Sequence, residues 1–390
     1  MTHEPTKIVW LFAGNTEVDS MVNMARDFFL PQFPDEWSSA RHIMYSNVKE
    51  CVHFGGDSYY VEPAPWRDNM SNLIGKAREV YLTAHLEGDI EDADMIITNS
   101  QYVATLAQVM KFSGSSSRKG KKIAESPIVY ICPKVEEGDD YEILKPHNDI
   151  YWWFLASYPN QWLAVLDSDW EVTSATELLK SVKPRARVDR IKRLVFFKWG
   201  GFINPDDKKV DRIVWQGRNN KDKGIRTSFE ILSVLSGLGY DCEAYISSSS
   251  TSGEINLRQM AKVLKINHGL VQSDYFEGIK DAKVCPITSN SEAWPPGYFE
   301  MIQRGIIPVI LKRPWMRTFL TDKWPLVFKT VPEAVEMCRE AVTDYDYYRD
   351  LLDRCMSERY STQPNFSELL TNIWDMYLVD HHRTFSVNSK

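Results

Sequence analysis

Short apolar runs recur along the chain, and each is followed by a stretch whose apolar positions fall at helical spacing. In the first half, the runs at 8–12, 94–98, 128–132 and 162–166 read as buried strands. Helical patterns lie at 21–29, at 72–86, from Asn99 or Ser100 onward, and at 172–182. A polar segment rich in Gly, Asn, Pro and Asp at 200–209 breaks this alternation and predicts a domain boundary. Beyond it the logic repeats, with strands at 212–216, 241–246, 283–287 and 306–311. Helices are expected at 224–238, 256–264, 297–304 and 332–342, and two more at 345–356 and 367–379 close the chain. Strands alternating with helices imply parallel sheets covered on both faces. The expected class is α/β, with two doubly wound Rossmann-like domains at 1–203 and 204–362. They would face each other across a cleft where the carboxyl ends of the strands collect ligands.

Composition narrows the class. Of 390 residues 43% are hydrophobic and 12% aromatic, ample for packed cores. Lys and Arg number 46 against 53 Asp and Glu, a net charge of −7. That balance argues against non-specific coating of nucleic acid but leaves room for a local basic face. Cys51, Cys132, Cys242, Cys285, Cys338 and Cys355 are scattered without a CxxC pair. They read as reduced core residues of a cytoplasmic protein rather than a disulfide framework or zinc site. No apolar stretch reaches the roughly 18 residues that a membrane span requires, and the start of the chain lacks a signal-peptide pattern. A soluble monomer is expected.

Candidate chemistry concentrates in the second half. Trp215-Gln216-Gly217-Arg218 ends a predicted strand, and Lys223-Gly224 leads into a helix. Arg218 and Lys223 thus lie near a helix N-terminus, a natural phosphate site. A guanidinium and an ammonium there can neutralise a departing diphosphate without a metal. Taken alone, the two are better read as solvated charges in a turn. Gly217 and Gly224, which allow close backbone approach, support a ligand. Further on, Glu292 occupies the loop before a helix that contains Glu300, and Gly305 stops that helix ahead of a buried strand. Carboxylates bind hydroxyls rather than phosphate, and a nucleotide sugar has hydroxyls at both ends. Glu292 would hold the sugar and Glu300 the ribose, with the turn from Trp294 through Pro296 and Gly297 to Tyr298 meeting the diphosphate. Asp167-Ser168-Asp169 has the form of a metal-binding Asp-x-Asp, but it precedes a helix and reads as capping. No metal is expected.

These motifs resemble those of the retaining family 4 of GT-B glycosyltransferases. The matching residues are Gly217-Arg218…Lys223-Gly224, Glu292…Glu300, and Gly305 followed by Pro308-Val309-Ile310. The resemblance is clear over about 206–330 and only architectural over the first 200 residues. It implies a donor domain at 204–362, an acceptor domain at 1–203, and a C-terminal segment, 363–390, whose helix crosses back to the first domain. It also implies catalytic roles for Glu292, Arg218 and Lys223, a nucleotide-sugar donor with a lean to uridine, retention of anomeric configuration, and no obligatory cofactor. Donor contacts would come from Gly14, Asn15, Gly217, Arg218, Lys223, Glu292, Pro296, Gly297, Tyr298 and Glu300. The double glycine usual in the first loop is absent from Gly14-Asn15-Thr16. His53, His85 and His147 are acceptor-side candidates, each more simply read as a surface or satisfied histidine.

Two basic clusters point to the acceptor: Arg118, Lys119, Lys121 and Lys122 in a Ser/Gly-rich loop, and Arg185 and Arg187 after a helix. A phosphate backbone would suit both, and solvated loops would explain them equally well. Trp215 to Arg218 and Gly305 to Val309 with Lys312 are also similar to the T-even phage DNA α-glucosyltransferases. That similarity implies double-stranded DNA with a hydroxymethylated pyrimidine as partner, and the host cytoplasm as location. The target base would then have to leave the stack, at a cost of a few kcal/mol. A glycan or lipid-linked acceptor, or a catalytically silent nucleotide-sugar-binding protein, are the alternatives.

Overall fold

The computed structural model describes residues 4–14, 20–54, 56–62, 69–113, 126–132, 150–166, 169–219, 221–246, 255–268, 272–290, 292 and 295–388. The chain divides into two compact units. One comprises Met1–Glu136, Asp140–Phe197 and Gln363–Lys390, and the other is built of Lys198–Thr362. The break falls a few residues ahead of the polar segment at 200–209.

The first unit is built on a seven-stranded parallel sheet in the order β3-β2-β1-β4-β5-β6-β7. Its strands are β1 (Lys7–Phe12), β2 (Arg41–Ser46), β3 (Asp57–Tyr60), β4 (Met95–Thr98), β5 (Ile128–Cys132), β6 (Gln161–Leu166) and β7 (Ile191–Leu194). β4, β5 and β6 are buried at every position, because helices cover both faces and leave no side for a polar alternation. In register, Ile8 of β1 lies between His42 and Met95. The helices are α1 (Ser20–Met24), α2 (Asn69–Leu86), α3 (Gln101–Ser113), α4 (150–157) and α5 (Asp169–Val182). The single helix expected over 21–29 is instead α1 running into a π-helical turn, Ala25–Phe29, which buries Ala25 and Phe29.

The last helix also belongs to this unit. Phe366 stacks on Phe29 at 4.9 Å, and Trp374 meets Trp37 edge-on at 6.1 Å. Ahead of it, the Asn365 side chain accepts from Val195 N at 2.7 Å and donates to the Arg193 carbonyl at 3.2 Å. These contacts fasten the C-terminal segment beside β7.

The second unit carries six parallel strands in the order β10-β9-β8-β11-β12-β13. They are β8 (Arg212–Gly217), β9 (Asp241–Ile246), β10 (Lys265–His268), β11 (Val284–Ile287), β12 (Ile307–Leu311) and β13 (Val327–Phe328). Around them lie α6 (Ile225–Gly237), α7 (Leu257–Met260), α8 (Gln272–Ile279), α9 (Pro296–Gln303), α10 (Met316–Phe319), α11 (Val331–Thr343) and α12 (Tyr345–Arg359), with α13 (Phe366–Asn388) in the first unit. The helix expected at 256–264 shrinks to α7. Asn256 caps it by accepting from Arg258 N at 3.0 Å, and the chain enters β10 directly afterwards. Each sheet reverses its winding once, between β1 and β4 in the first and between β8 and β11 in the second.

Candidate functional site

The reversal between β8 and β11 opens a crevice at the carboxyl ends of two adjacent strands that wind in opposite directions, where doubly wound sheets collect ligands. Arg218 and Lys223 follow β8, and Glu292 follows β11. The turn bearing Lys223 is pressed onto the loop after β11. Gly224 caps α6 in the left-handed region at φ 62°, and a Cβ there would lie 2.1 Å from the Thr288 carbonyl oxygen. Only glycine meets both conditions.

Three side chains lock these loops together. Trp215 Nε1 donates to the Thr288 hydroxyl at 3.2 Å, and that hydroxyl donates to the Lys223 carbonyl at 2.9 Å. Asn290 donates from its backbone N to the Asp222 carbonyl at 2.8 Å and from Nδ2 to the Lys221 carbonyl at 2.9 Å. Arg313 in turn donates to Asn290 Oδ1 at 2.9 Å. Thr288 and Asn290 were not singled out from sequence. Their signal was the polar run Thr288-Ser289-Asn290 directly after a buried strand.

The ammonium of Lys223 forms an ion pair with the Glu292 carboxylate. Their side chains are 18% and 7% exposed, so water screens the pair little. Lys223 Nζ also lies 5.9 Å from the Tyr298 ring centroid, and the Tyr298 hydroxyl shares a 2.6 Å hydrogen bond with Ser289. Burial, reinforced by the charge of Glu292, pushes the Tyr298 phenol well above its ordinary pKa. It stays neutral. Arg218 contrasts with Lys223, being exposed and making no hydrogen bond or ion pair with the described residues.

The first turn of α9 joins this cluster. Pro296 opens the helix with its φ preset and no N–H to leave unsatisfied. A Cβ on Gly297 would stand 2.0 Å from Gln216 Nε2, so α9 begins directly against the end of β8. Glu300 is half-buried on the same helix. Beside it, the Tyr275 hydroxyl of α8 is buried with no hydrogen-bond partner among the described residues, and desolvation followed by the Glu300 charge raises its pKa. Sequence reading missed Tyr275 because α8 carries no motif. Together, the end of β8, the start of α6 and the start of α9 offer two cations, two carboxylates and the electropositive ends of two helices. Such a set can bind a phosphorylated, hydroxyl-rich ligand.

Other expected residues lie elsewhere. Gly14 is buried just past β1 in the first unit, where Asn99 bridges Ala13 N and Ala13 O at 3.0 Å each. Asn15, Trp294, His147, Arg118, Lys119, Lys121 and Lys122 fall outside the described residues. Arg185 and Arg187 are exposed beyond α5, and Arg187 pairs with Asp189 at 2.7 Å. Asp169 is the first residue of α5 and pairs with Arg193 at 3.2 Å, while Asp167 lies outside the described residues. His85 pairs with Glu91 at 2.5 Å. Among the described residues no three His, Cys, Asp or Glu side chains converge as a metal-ligand set.

No protein-family model and no curated protein sequence matches the chain. Solved structures do. HepE of Anabaena in complex with UDP-glucose is similar at a TM-score of 0.61 and 11% identity, over 98% of this chain and 100% of that one. Trehalose 6-phosphate synthase of Burkholderia multivorans is similar at 0.60 and 10% identity, over 100% of both chains. WaaG, a glycosyltransferase of lipopolysaccharide biosynthesis, is similar at 0.60 and 14% identity, over 94% and 99%. Over nearly its whole length the chain therefore has the two-domain GT-B fold of these glycosyltransferases.

Proposed function

We propose that the protein is a retaining glycosyltransferase that moves a sugar from a nucleotide sugar, a UDP-sugar, to an acceptor hydroxyl. The observation that carries this reading is the Lys223–Glu292 ion pair at the switch point of the second sheet, with exposed Arg218 directly after β8. The presence of UDP and UDP-glucose on HepE, a protein of the same fold, supports the choice of donor. When the bond between the anomeric carbon and the diphosphate breaks, negative charge grows on the departing oxygen. Arg218 and Lys223 would neutralise it, together with the N-terminal end of α9 around Gly297 and Tyr298. A diphosphate arriving at Lys223 competes with Glu292 for the ammonium. The freed carboxylate can then accept from sugar hydroxyls, while Glu300 accepts from the ribose. Retention of configuration rests on the family 4 resemblance of Gly217-Arg218, Lys223-Gly224 and the Glu292…Glu300 pair.

Two acceptor classes fit. A hydroxymethylated pyrimidine in phage DNA draws on the basic clusters, of which Arg185 and Arg187 lie among the described residues. A lipid-linked or cell-surface glycan is favoured by Val182 and Val188, apolar side chains that flank the second cluster in sequence and are 37% and 38% exposed. The test crosses sugar nucleotides with hydroxymethylcytosine-containing duplex DNA, unmodified duplex and lipid-linked saccharides, read by mass spectrometry. One added sugar on the modified base establishes the DNA reading. The same gain on a lipid-linked saccharide establishes the second. No product, with no UDP released from any donor, overturns the transferase reading.

A further inference from the structure

The amino end of the second sheet holds a cavity that the proposed function does not use. Its volume is about 530 Å³, and its walls come from the segment before β8, the start of β11 and the turn from α11 into α12. Lys283 directly precedes β11 and Thr288 directly follows it. The cavity and the crevice beside Lys223 therefore lie at opposite ends of the same parallel strands. The wall residues, from Asp207 to Arg349, all belong to the second unit.

These walls carry three cations and three carboxylates. The cations are engaged by the protein itself. Lys209 Nζ donates to the carbonyls of Lys280 and Arg304, the latter at 2.5 Å, just past the ends of α8 and α9. Lys283 Nζ pairs with Asp211 at 2.6 Å and reaches the Val342 carbonyl in the last turn of α11 at 3.3 Å. Positive charge is favoured at such carbonyl ends, which accounts for both lysines. Arg349 donates to the Pro205 carbonyl at 2.7 Å and lies 4.8 Å from the Phe202 ring centroid. The carboxylates are different. Those of Asp207, Asp344 and Asp346 make no hydrogen bond or ion pair with the described residues. Asp344 even occupies the N-cap position of α12 without capping it. Tyr347 shares the wall with them and is 59% exposed.

We infer that this cavity is a saccharide-binding site, separate from the site of transfer. An ionised carboxylate only accepts hydrogen bonds, so a ligand that satisfies three of them must bring donors. A sugar ring carries hydroxyls around its rim and C–H groups on its faces. The hydroxyls can donate to the free carboxylates and accept from the ammonium hydrogens, while a ring face covers the apolar body of Tyr347. Charged ligands fit less well. A phosphorylated one would set its charge against Asp207, Asp344 and Asp346, and a polyamine would meet Lys209, Lys283 and Arg349. A metal ion lacks a ligand set, because among the described residues no three His, Cys, Asp or Glu side chains converge. A neutral, hydroxyl-rich molecule avoids both repulsions. The inference uses no residue of the donor crevice and stands whether or not the proposed function does.

The test is saturation-transfer NMR and calorimetry on the full-length protein with three neutral trisaccharides (maltotriose, cellotriose and chitotriose), beside inorganic pyrophosphate and spermidine. Binding of at least one trisaccharide is expected. Tyr347→Ala, and separately Asp344→Asn with Asp346→Asn, should each weaken it about tenfold or more. Tyr347→Phe should retain it, because the ring face remains. Arg218→Ala should leave it unchanged, so that failure of the donor site and failure of this site are read separately. Thermal melting verifies that each variant is folded. No trisaccharide binding overturns the inference, as does binding that Tyr347→Ala and the double Asp variant leave intact. Spermidine or pyrophosphate bound in place of every trisaccharide would assign the cavity to a charged ligand and overturn it as well.

Discussion

Lys223 and Glu292 come from the ends of two neighbouring strands and form one largely buried ion pair. In the proposed function the ammonium that receives the diphosphate is therefore already occupied, and the ligand would have to displace a carboxylate to reach it. This sets opposite expectations for affinity and turnover. Glu292→Gln removes the competing charge, so UDP should bind several-fold more tightly in calorimetry. Turnover should nevertheless fall by about a hundredfold, the usual scale for one positioned polar group in a reacting site. Unchanged UDP affinity would mean that the pair does not open for the donor.

The Thr288 hydroxyl bridges Trp215 Nε1 and the Lys223 carbonyl. Thr288→Val keeps the shape and strands both groups. Leaving the buried indole N–H unpaired should cost about 1–3 kcal/mol, read as a lower melting temperature. The loosened Lys223 turn should also raise KM for the donor more than it lowers kcat. A lower melting temperature with unchanged KM would confine Thr288 to a packing role.

Two glycines of the site should respond differently to alanine. At Gly224 the left-handed backbone alone costs about 1–2 kcal/mol, and the new Cβ meets a main-chain oxygen that cannot move aside. At Gly297 the obstacle is the end of the Gln216 side chain, which can swing away. Urea denaturation should rank Gly224→Ala as clearly the less stable protein. Equal stability would contradict the close approach at Thr288.

Much of the fold was legible because most central strands are buried on both faces and so read as apolar runs. The hydrophobic pattern predicts neither β2 nor the four edge strands β3, β7, β10 and β13. An edge strand has a neighbour on one side only and gains protection from polar side chains. Asp57-Ser58-Tyr59-Tyr60 of β3 is exposed or half-buried throughout, and Lys192 and Arg193 fill the middle of β7. In the site, the motifs gave the cations and carboxylates but assigned them to separate parts of a ligand. That Lys223 and Glu292 bind each other, and that Thr288 and Asn290 hold the Lys223 turn, depends on long-range contacts that local spacing does not encode.

A pH effect is expected from the first unit. His42 Nδ1 accepts from Trp10 Nε1 at 3.2 Å and its ring stands edge-on to Phe33 at 4.4 Å. Burial lowers its pKa from 6.5 to about 4. The folded state thus binds fewer protons here than the unfolded chain. The stabilisation is complete above 6.5 and is lost as pH falls toward 4. His42→Gln keeps an acceptor for Trp10 without titrating, so its melting temperature should fall less steeply than wild type over that window. Parallel slopes would remove His42 as a source of acid sensitivity.

In the proposed function Arg218 and Lys223 receive the diphosphate of a sugar nucleotide. Its most direct test is UDP release from UDP-sugars by wild type, Arg218→Ala and Lys223→Ala, each verified as folded by its melting curve. Measurable release by wild type is expected, with a loss of about a hundredfold or more in each variant. Release that survives both substitutions, or a folded wild-type protein that neither binds nor cleaves any UDP-sugar, would contradict it.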